Sequence, residues 1–499
     1  MLRVSKDPWF WIGLLVFFVA LYFPLFLNLD RLSIRMWDES RNAVNALEMA
    51  LHGNYFIRHF NGIPDHIDLN PPFFIWFQAL SLKLFGYNEL SIRLISPFSI
   101  LGIIAMIIVF LKRETGKTLP GFFAGLVIVC SLGVIHRHIA RTGDHDAFLT
   151  MLLTGAGISH YYYLKSDLRA VNFLVITSVL LFLSVFTKSV IGFITLPALL
   201  LFTLYEGKLI PMLKQGRTYA SILSVLTLVI AYYAYRESAD PGYLDVVWNE
   251  QLVPRYTNNS TMGSHKFESF WYYLINFYEW RFTPWIVLLP FAFYISWKRA
   301  TARSRKVLVL ALMHLLTIFL VISSGTKNLW YDAQLFPFMS IILGLGLYAV
   351  YDLVQDRTSI PSLWKMAYVS LFTFSVFFIP YYKVINEVYK PHDGREDLQY
   401  GNFIKTLASE RPEIKSYTAY FKGYNHYNAH LNFYTKVYNE IYGYAISNDF
   451  YSEEFAAGDT IMFCESAVLK NVHEVYLTTL LAEIHGCQLL LIKGVREIN

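Results

Sequence analysis

Charge is scarce in this sequence. Only 16% of its 499 residues are Asp, Glu, Lys or Arg, against about a quarter in a soluble domain. With 55% hydrophobic and 17% aromatic residues, the chain cannot cover itself with a water-facing surface, and it reads as an integral membrane protein. Cysteine is nearly absent too. Of Cys130, Cys464 and Cys487, the first lies in an apolar run, so only the other two could pair, and no disulfide is expected. A net charge of +5 is too small to argue for a nucleic-acid partner. There is no glycine-rich phosphate loop following a strand, which excludes a nucleotide-driven cytosolic domain. Heptads, low-complexity tracts and internal repeats are also missing. No small-residue cleavage site follows the first apolar stretch, so that stretch is expected to stay as a first span.

What is present is a series of apolar runs bounded by charges. They predict about eleven transmembrane helices, at residues 9–27, 92–111, 118–136, 146–164, 170–187, 189–205, 218–235, 284–297, 306–324, 332–350 and 363–380. The apolar stretch 72–85 opens on a double proline and has about 14 residues, so an interfacial helix is expected there instead of a span. With the N-terminus inside, this count puts Lys112, Arg113, Lys117, Lys165, Arg169, Lys208, Lys214, Arg217, Arg357 and the run Lys298 to Lys306 on the cytoplasmic side, as the positive-inside rule requires. Counting 72–85 as a span would turn most of these loops outward.

The same topology gathers the remaining polar features on the other face. After Pro380 the charges spread out and short apolar runs of strand length appear, among them Ile461 to Phe463 and Leu489 to Ile492. The fold class expected is therefore a polytopic α-helical membrane domain, residues 1–384, followed by a small extracytoplasmic soluble α/β domain, residues 385–499.

Candidate site residues lie at the span ends on this outer face. Met36-Trp37-Asp38-Glu39-Ser40-Arg41 puts an acidic pair and an arginine just beyond the first span; the plain alternative is an interfacial charge cluster that ends a helix. Asp144 and Asp146, in Arg141-Thr142-Gly143-Asp144-His145-Asp146, stand where a span begins. Helix capping explains one of them but not both. Lys188, Lys327 and Arg255 are outer-face cations. Each could be a snorkelling anchor, but lysine on this face runs against the orientation bias, and a phosphate at the membrane surface would account for it. A water-facing carboxylate near such cations suits a lipid-linked phosphate donor that brings its own activation, with the carboxylate as base for an incoming hydroxyl or amine.

The ordered set of Trp37-Asp38-Glu39-Ser40-Arg41, Gly53-Asn54-Tyr55, Phe60-Asn61-Gly62, Asn70-Pro71-Pro72, Phe85-Gly86-Tyr87-Asn88-Glu89 with Arg93, Arg141 to Asp146, Thr187-Lys188, Trp271-Tyr272-Tyr273, Pro284-Trp285, and Lys327 with Tyr331 and Pro337 resembles the GT-C type integral-membrane glycosyltransferases. Within them it is similar to glycosyltransferase family 39, with its protein O-mannosyltransferases and the lipid A aminoarabinose transferase. The resemblance covers residues 9 to about 350. It implies a polyprenyl-phosphate-linked sugar donor, inversion at the sugar carbon and Asp38 as general base, supported by Glu39 and Arg41. It further implies Asp146 or Asp144 as a second acidic site, Lys188, Arg255 and Lys327 facing the donor phosphate, and Tyr331 facing the sugar or phosphate. The acceptor would bear a hydroxyl, on a protein, lipid A or another glycolipid or polymer, at the outer face of a prokaryotic inner membrane. No cofactor is assigned. A divalent metal is left open, with Asp65, His66, Asp68, Asp144 and His145 as its candidate ligands.

One departure from the pattern stands out. Relatives resembling the aminoarabinose transferase carry an acid and a lysine immediately before the double proline, where this chain has Leu69-Asn70. That loss argues against aminoarabinose as the donor sugar. The competing functional class is a flippase or transporter of lipid-linked saccharide, which would place polar or broken helices near mid-membrane and often repeat its halves.

Overall fold

The computed structural model describes residues 8–136, 138–253, 268–358, 364–390, 396–421, 427–450 and 454–496. The chain divides into two compact units. One comprises Met1–Leu27, His66–Phe74 and Ile95–Tyr389; the other comprises Asn28–Asp65, Ile75–Leu94 and Lys390–Asn499.

The first unit is the membrane domain. Each expected span is helical, at Pro8–Phe26, Ile95–Thr115, Leu119–Val129, Asp146–Lys165, Val171–Lys188, Leu196–Tyr205, Gly216–Ala239, Trp285–Arg299, Ala302–Ser324, Phe336–Thr358 and Lys365–Tyr389. Among the described residues, six helical stretches are long and apolar enough to cross a bilayer. Two expected spans are corrected: 118–136 and 189–205 are each built in two pieces. Leu119–Val129 is followed by Leu132–Ile135, and the 3-10 turn Ser189–Phe193 precedes Leu196–Tyr205. At 11 and 10 residues, the longer pieces rise only about 15 Å, half the hydrocarbon core. Pro197 explains the second break, since a residue without an N–H starts a helix more readily than it continues one.

Water cannot drive helices together inside lipid, so close backbone approach must do so. Gly344 and Gly346 provide it on helix Phe336–Thr358. A Cβ at Gly344 would stand 2.4 Å from the Pro120 carbonyl oxygen, and one at Gly346 would stand 2.4 Å from Ala292 Cβ. The basic loops are also pinned: Lys165 bonds Glu114 at 2.6 Å, Lys306 bonds Glu206 at 2.5 Å, and Lys208 pairs with Asp167.

The second unit is α/β. A two-residue hairpin, β1 (His59–Phe60) with β2 (Ile63–Pro64), stands apart from a five-stranded sheet. That sheet contains β3 (Ser416–Phe421), β4 (Ala445–Phe450), β5 (Thr460–Phe463), β6 (Tyr476–Ile484) and β7 (Cys487–Val495), in the order β4-β3-β5-β7-β6. The two strand-length runs read from the sequence are within β5 and β7. Strands β4 and β5 flank β3 in parallel, while β7 is antiparallel to β5 and β6. Helix Ala429–Tyr442 makes the crossover that the parallel β3 and β4 require. His485 and Gly486 both take positive φ, as a two-residue hairpin turn demands.

Phe463 registers with Gln488, so the next pair outward is Cys464 and Cys487, and the structure joins them in a disulfide. The expectation of no bridge is thereby corrected. Cysteines 23 residues apart reveal nothing in sequence about strand register; antiparallel pairing brings them face to face.

Candidate active site

In the second unit the candidate base opens a helix. Helix Asp38–His52 carries Asp38 and Glu39 in its first turn, where the N-terminal dipole favours negative charge. Asp38 is exposed and Glu39 is 2% exposed, so the two neighbouring carboxylates have different fates. Glu39 is taken by Arg93, with Nε to Oε1 at 2.6 Å and Nη2 to Oε2 at 2.9 Å. Arg93 spends its other donors on the carbonyls of Leu29, Leu32 and Ser33. Through Arg93, Glu39 ties the chain before Asp38 to the helix that carries it.

Arg41 is likewise engaged. It forks onto Asp65, with Nε to Oδ2 at 2.8 Å and Nη2 to Oδ1 at 2.6 Å, and its guanidinium lies 4.2 Å from the centre of the Phe60 ring. Asn45 adds a bond to Asp65 at 3.1 Å.

The proposed metal cluster Asp65, His66, Asp68 is not gathered as one. Asp65 serves Arg41, His66 lies 2.6 Å from Asp240, and Asp68 accepts from the Asn70 side chain at 2.7 Å. Their carboxylates and ring are spent in separate pairs, which corrects their reading as a substitute ligand set. Leu69 and Asn70, at the position of the missing acid and lysine, face the segment 243–251: Tyr243 donates to the Leu69 carbonyl at 2.8 Å, and Gln251 to Asn70 at 3.4 Å.

In the first unit Asp146 and Lys188 come together. Lys188 Nζ donates to both Asp146 oxygens at 2.7 Å and lies 5.8 Å from the centre of the Tyr331 ring. Asn328 donates to the Tyr331 hydroxyl at 3.1 Å. Lys327, on the same loop, is 6% exposed and donates to the Gly325 carbonyl at 2.9 Å. Burial draws its pKa below the ordinary lysine value, although Glu268 pulls the other way. Arg255 lies outside the described residues.

Asp144 is a different carboxylate from Asp146. Thr142 donates to its Oδ2 at 2.6 Å, and His138 Nδ1 is 3.2 Å from the same oxygen. Burial would raise its pKa, but the charge and hydrogen bond of His138 and the bond from Thr142 outweigh burial and bring it below the usual carboxylate range. Among the described residues Asp144 Oδ1 accepts no hydrogen bond. An acceptor left open beside an imidazole is a donor set that suits a divalent cation, so a metal candidate here is Asp144 with His138. His145, the expected ligand, instead packs its ring 4.7 Å from that of Phe74. Sequence reading missed His138, whose ring stacks on Trp330 at 3.8 Å. Its one signal was its place six residues before Asp144. Arg141, quoted as part of the cluster, donates to the carbonyls of Pro24 and Leu27 and closes the end of the first helix.

Residues 69–235 match the family model described as dolichyl-phosphate-mannose-protein mannosyltransferase. An undecaprenyl phosphate-α-4-amino-4-deoxy-L-arabinose arabinosyl transferase of Shewanella sediminis is 25% identical over 378 residues, 73% of this chain and 66% of that one. A second protein so described, from Proteus mirabilis, is 25% identical over 65% of this chain and 56% of its own length. The chain thus spans between a little over half and just under two thirds of these curated relatives. Among solved structures, ArnT from Cupriavidus metallidurans bound to undecaprenyl phosphate superposes with a TM-score of 0.68 at 16% identity, covering 98% of both chains. The oligosaccharyltransferase AglB from Archaeoglobus fulgidus gives 0.52 at 13% identity, over 83% of this chain and 62% of that one.

Proposed function

With the chain carrying the fold of the GT-C integral-membrane glycosyltransferases, we propose that it moves a sugar from a polyprenyl-phosphate-linked donor to a hydroxyl-bearing acceptor on the extracytoplasmic side of the membrane, with inversion. The observation that carries this reading is the Lys188–Asp146 pair beside Tyr331, in which the lysine is largely and the aspartate fully withdrawn from water. A lysine cannot stay charged away from water without a counter-charge, and Asp146 supplies one. A donor phosphate offers the same ammonium a second set of anionic oxygens. Lys188, joined by Lys327 and Arg255, then stabilises the negative charge that grows on the leaving phosphate as the sugar–oxygen bond breaks.

Asp38 is the base in this reading. Its exposed carboxylate takes the acceptor proton as the acceptor oxygen attacks the sugar carbon from the side opposite the phosphate. Glu39 and Arg41 hold the helix start through Arg93 and Asp65. If a divalent cation binds, Asp144 and His138 would hold it, and it would add positive charge near the phosphate.

The extracytoplasmic assignment is supported by the basic loops that the positive-inside rule turns inward, and by the Cys464–Cys487 disulfide, which persists in oxidising compartments. A prokaryotic inner membrane fits the bacterial relatives. In this reading residues 1–384 form the transferase domain and 385–499 the soluble extracytoplasmic domain, although the compact units divide after Tyr389 and residues 28–65 and 75–94 group with the C-terminal one.

The test is release of polyprenyl phosphate by the purified protein from a panel of polyprenyl-phosphate sugars, with Asp38→Asn alongside. Release that depends on Asp38 supports the transferase and ranks the sugars. No release from any donor, with membrane extract as acceptor source, would favour a transporter of lipid-linked saccharide.

A further inference from the structure

Trp37 is held in a way its neighbours do not explain. It has φ 78° and ψ −127°, a backbone conformation that a bulky residue enters only under strain. Three donors converge on its carbonyl: the Arg41 N–H at 3.0 Å, the Ser40 hydroxyl at 2.8 Å and the Tyr427 hydroxyl at 3.0 Å. The indole itself lies flat on the Tyr427 ring, with centroids 4.8 Å apart and planes 9° from parallel, and yet 47% of the residue is exposed. One aromatic face is therefore backed by a second ring while substantial indole surface stays open, and the next residue along is Asp38.

We infer that Trp37, backed by Tyr427, is the platform on which a pyranose ring of the acceptor stacks, so that the acceptor is a saccharide and not a serine or threonine side chain. This rests on the transferase reading above. The hydrophobic face of a pyranose is a set of C–H bonds with a slight positive charge, which complements the negative face of an indole. A platform must be rigid as well as aromatic, because a mobile ring would lose on ordering what it gained on contact. The strained backbone, the carbonyl that accepts three hydrogen bonds and the stacked tyrosine provide that rigidity. A lipid-interface anchor would need none of them, since any rotamer on a relaxed backbone serves it. The ring belongs to the acceptor because Trp37 adjoins the carboxylate that takes the acceptor's proton.

Saturation-transfer NMR on the full chain in lipid nanodiscs tests the inference. The probes are methyl β-glucoside, methyl α-mannoside, methyl β-N-acetylglucosaminide and a serine/threonine hexapeptide. Saturation is expected on glycoside ring protons with the wild-type protein and with Trp37→Phe. It should be lost with Trp37→Leu, which keeps apolar bulk but has no π face. Tyr427→Leu provides a second variant that leaves Trp37 itself unchanged and should weaken the signal. In turnover with the best-used donor sugar and the most strongly saturated glycoside as acceptor, Trp37→Leu should raise the acceptor KM by about tenfold with kcat nearly unchanged. Equal glycoside saturation in Trp37→Leu, or saturation of the peptide alone, overturns the inference. Polyprenyl phosphate release is measured on the same samples: release with Trp37-independent saturation defeats the platform alone, whereas absent release with Trp37-dependent saturation defeats the transferase reading and leaves a saccharide site.

Discussion

A carboxylate that is to take a proton must meet water and substrate with its charge available, and Asp38 and Glu39 divide on that point. Glu39 is locked to Arg93, whereas Asp38 is exposed at the helix start. Asp38→Asn is expected to lower transfer by about 10²–10⁴-fold while leaving donor affinity in place, measured by polyprenyl phosphate release and equilibrium donor binding. Activity equal to the wild type would remove Asp38 as base. Lys188→Met strands the buried Asp146 carboxylate and should destabilise the protein by about 3–5 kcal/mol as well as weaken donor binding. The double variant Lys188→Met, Asp146→Asn should recover most of the stability but none of the donor affinity, which thermal unfolding and donor titration distinguish.

Lys327 adds a pH dependence at the same scale. Its folded pKa is lowered by burial, so its charge is lost at a lower pH than that of an ordinary lysine. Donor affinity should therefore decline as pH rises through that lowered value, and Lys327→Arg should keep its affinity there. Stability moves the opposite way, because the cost of a buried ammonium is present below the folded pKa and relieved above it. A donor titration with the same alkaline limb in both proteins would show that Lys327 carries no phosphate contact.

At the scale of elements, two features hold their partners by contact too close for alternatives. The Cys464–Cys487 bridge links β5 to β7, and by chain entropy a loop of this length contributes about 3 kcal/mol. Cys464→Ser with Cys487→Ser should lower the unfolding midpoint of the sheet, followed by far-UV circular dichroism, and reductant should act on the wild type but not on the double variant. Gly344 permits helix Phe336–Thr358 to reach Pro120. Gly344→Ala should cost about 1–3 kcal/mol by overpacking, seen as a lower midpoint in detergent. An unchanged midpoint would mean that the helices can separate without loss.

At the scale of the whole molecule, orientation is the quantity to measure. The short helix Phe73–Phe85 has 13 residues, about 20 Å, and the basic loops follow the odd count only if it does not cross. A reporter fused after Phe85 should signal the outer side, and a cytoplasmic signal there would sink the topology.

Much of this architecture is local in origin and could be read from the sequence. Apolar length specifies helices because each must satisfy its own backbone in lipid, and short apolar runs of strand length marked β5 and β7. The candidate residues were legible as types at helix ends, where charge can reach water. Their roles were not. Nothing in the sequence separates Glu39 from Asp38, or Asp144 from Asp146, because Arg93, Lys188 and His138 lie 54, 42 and 6 residues from the carboxylates they hold. The disulfide, the dispersal of Asp65, His66 and Asp68 into separate pairs, and the seating of Trp37 on Tyr427 were settled by tertiary structure alone. Composition and periodicity act over a few residues, whereas the partner of a charge or a ring is chosen by which elements pack together.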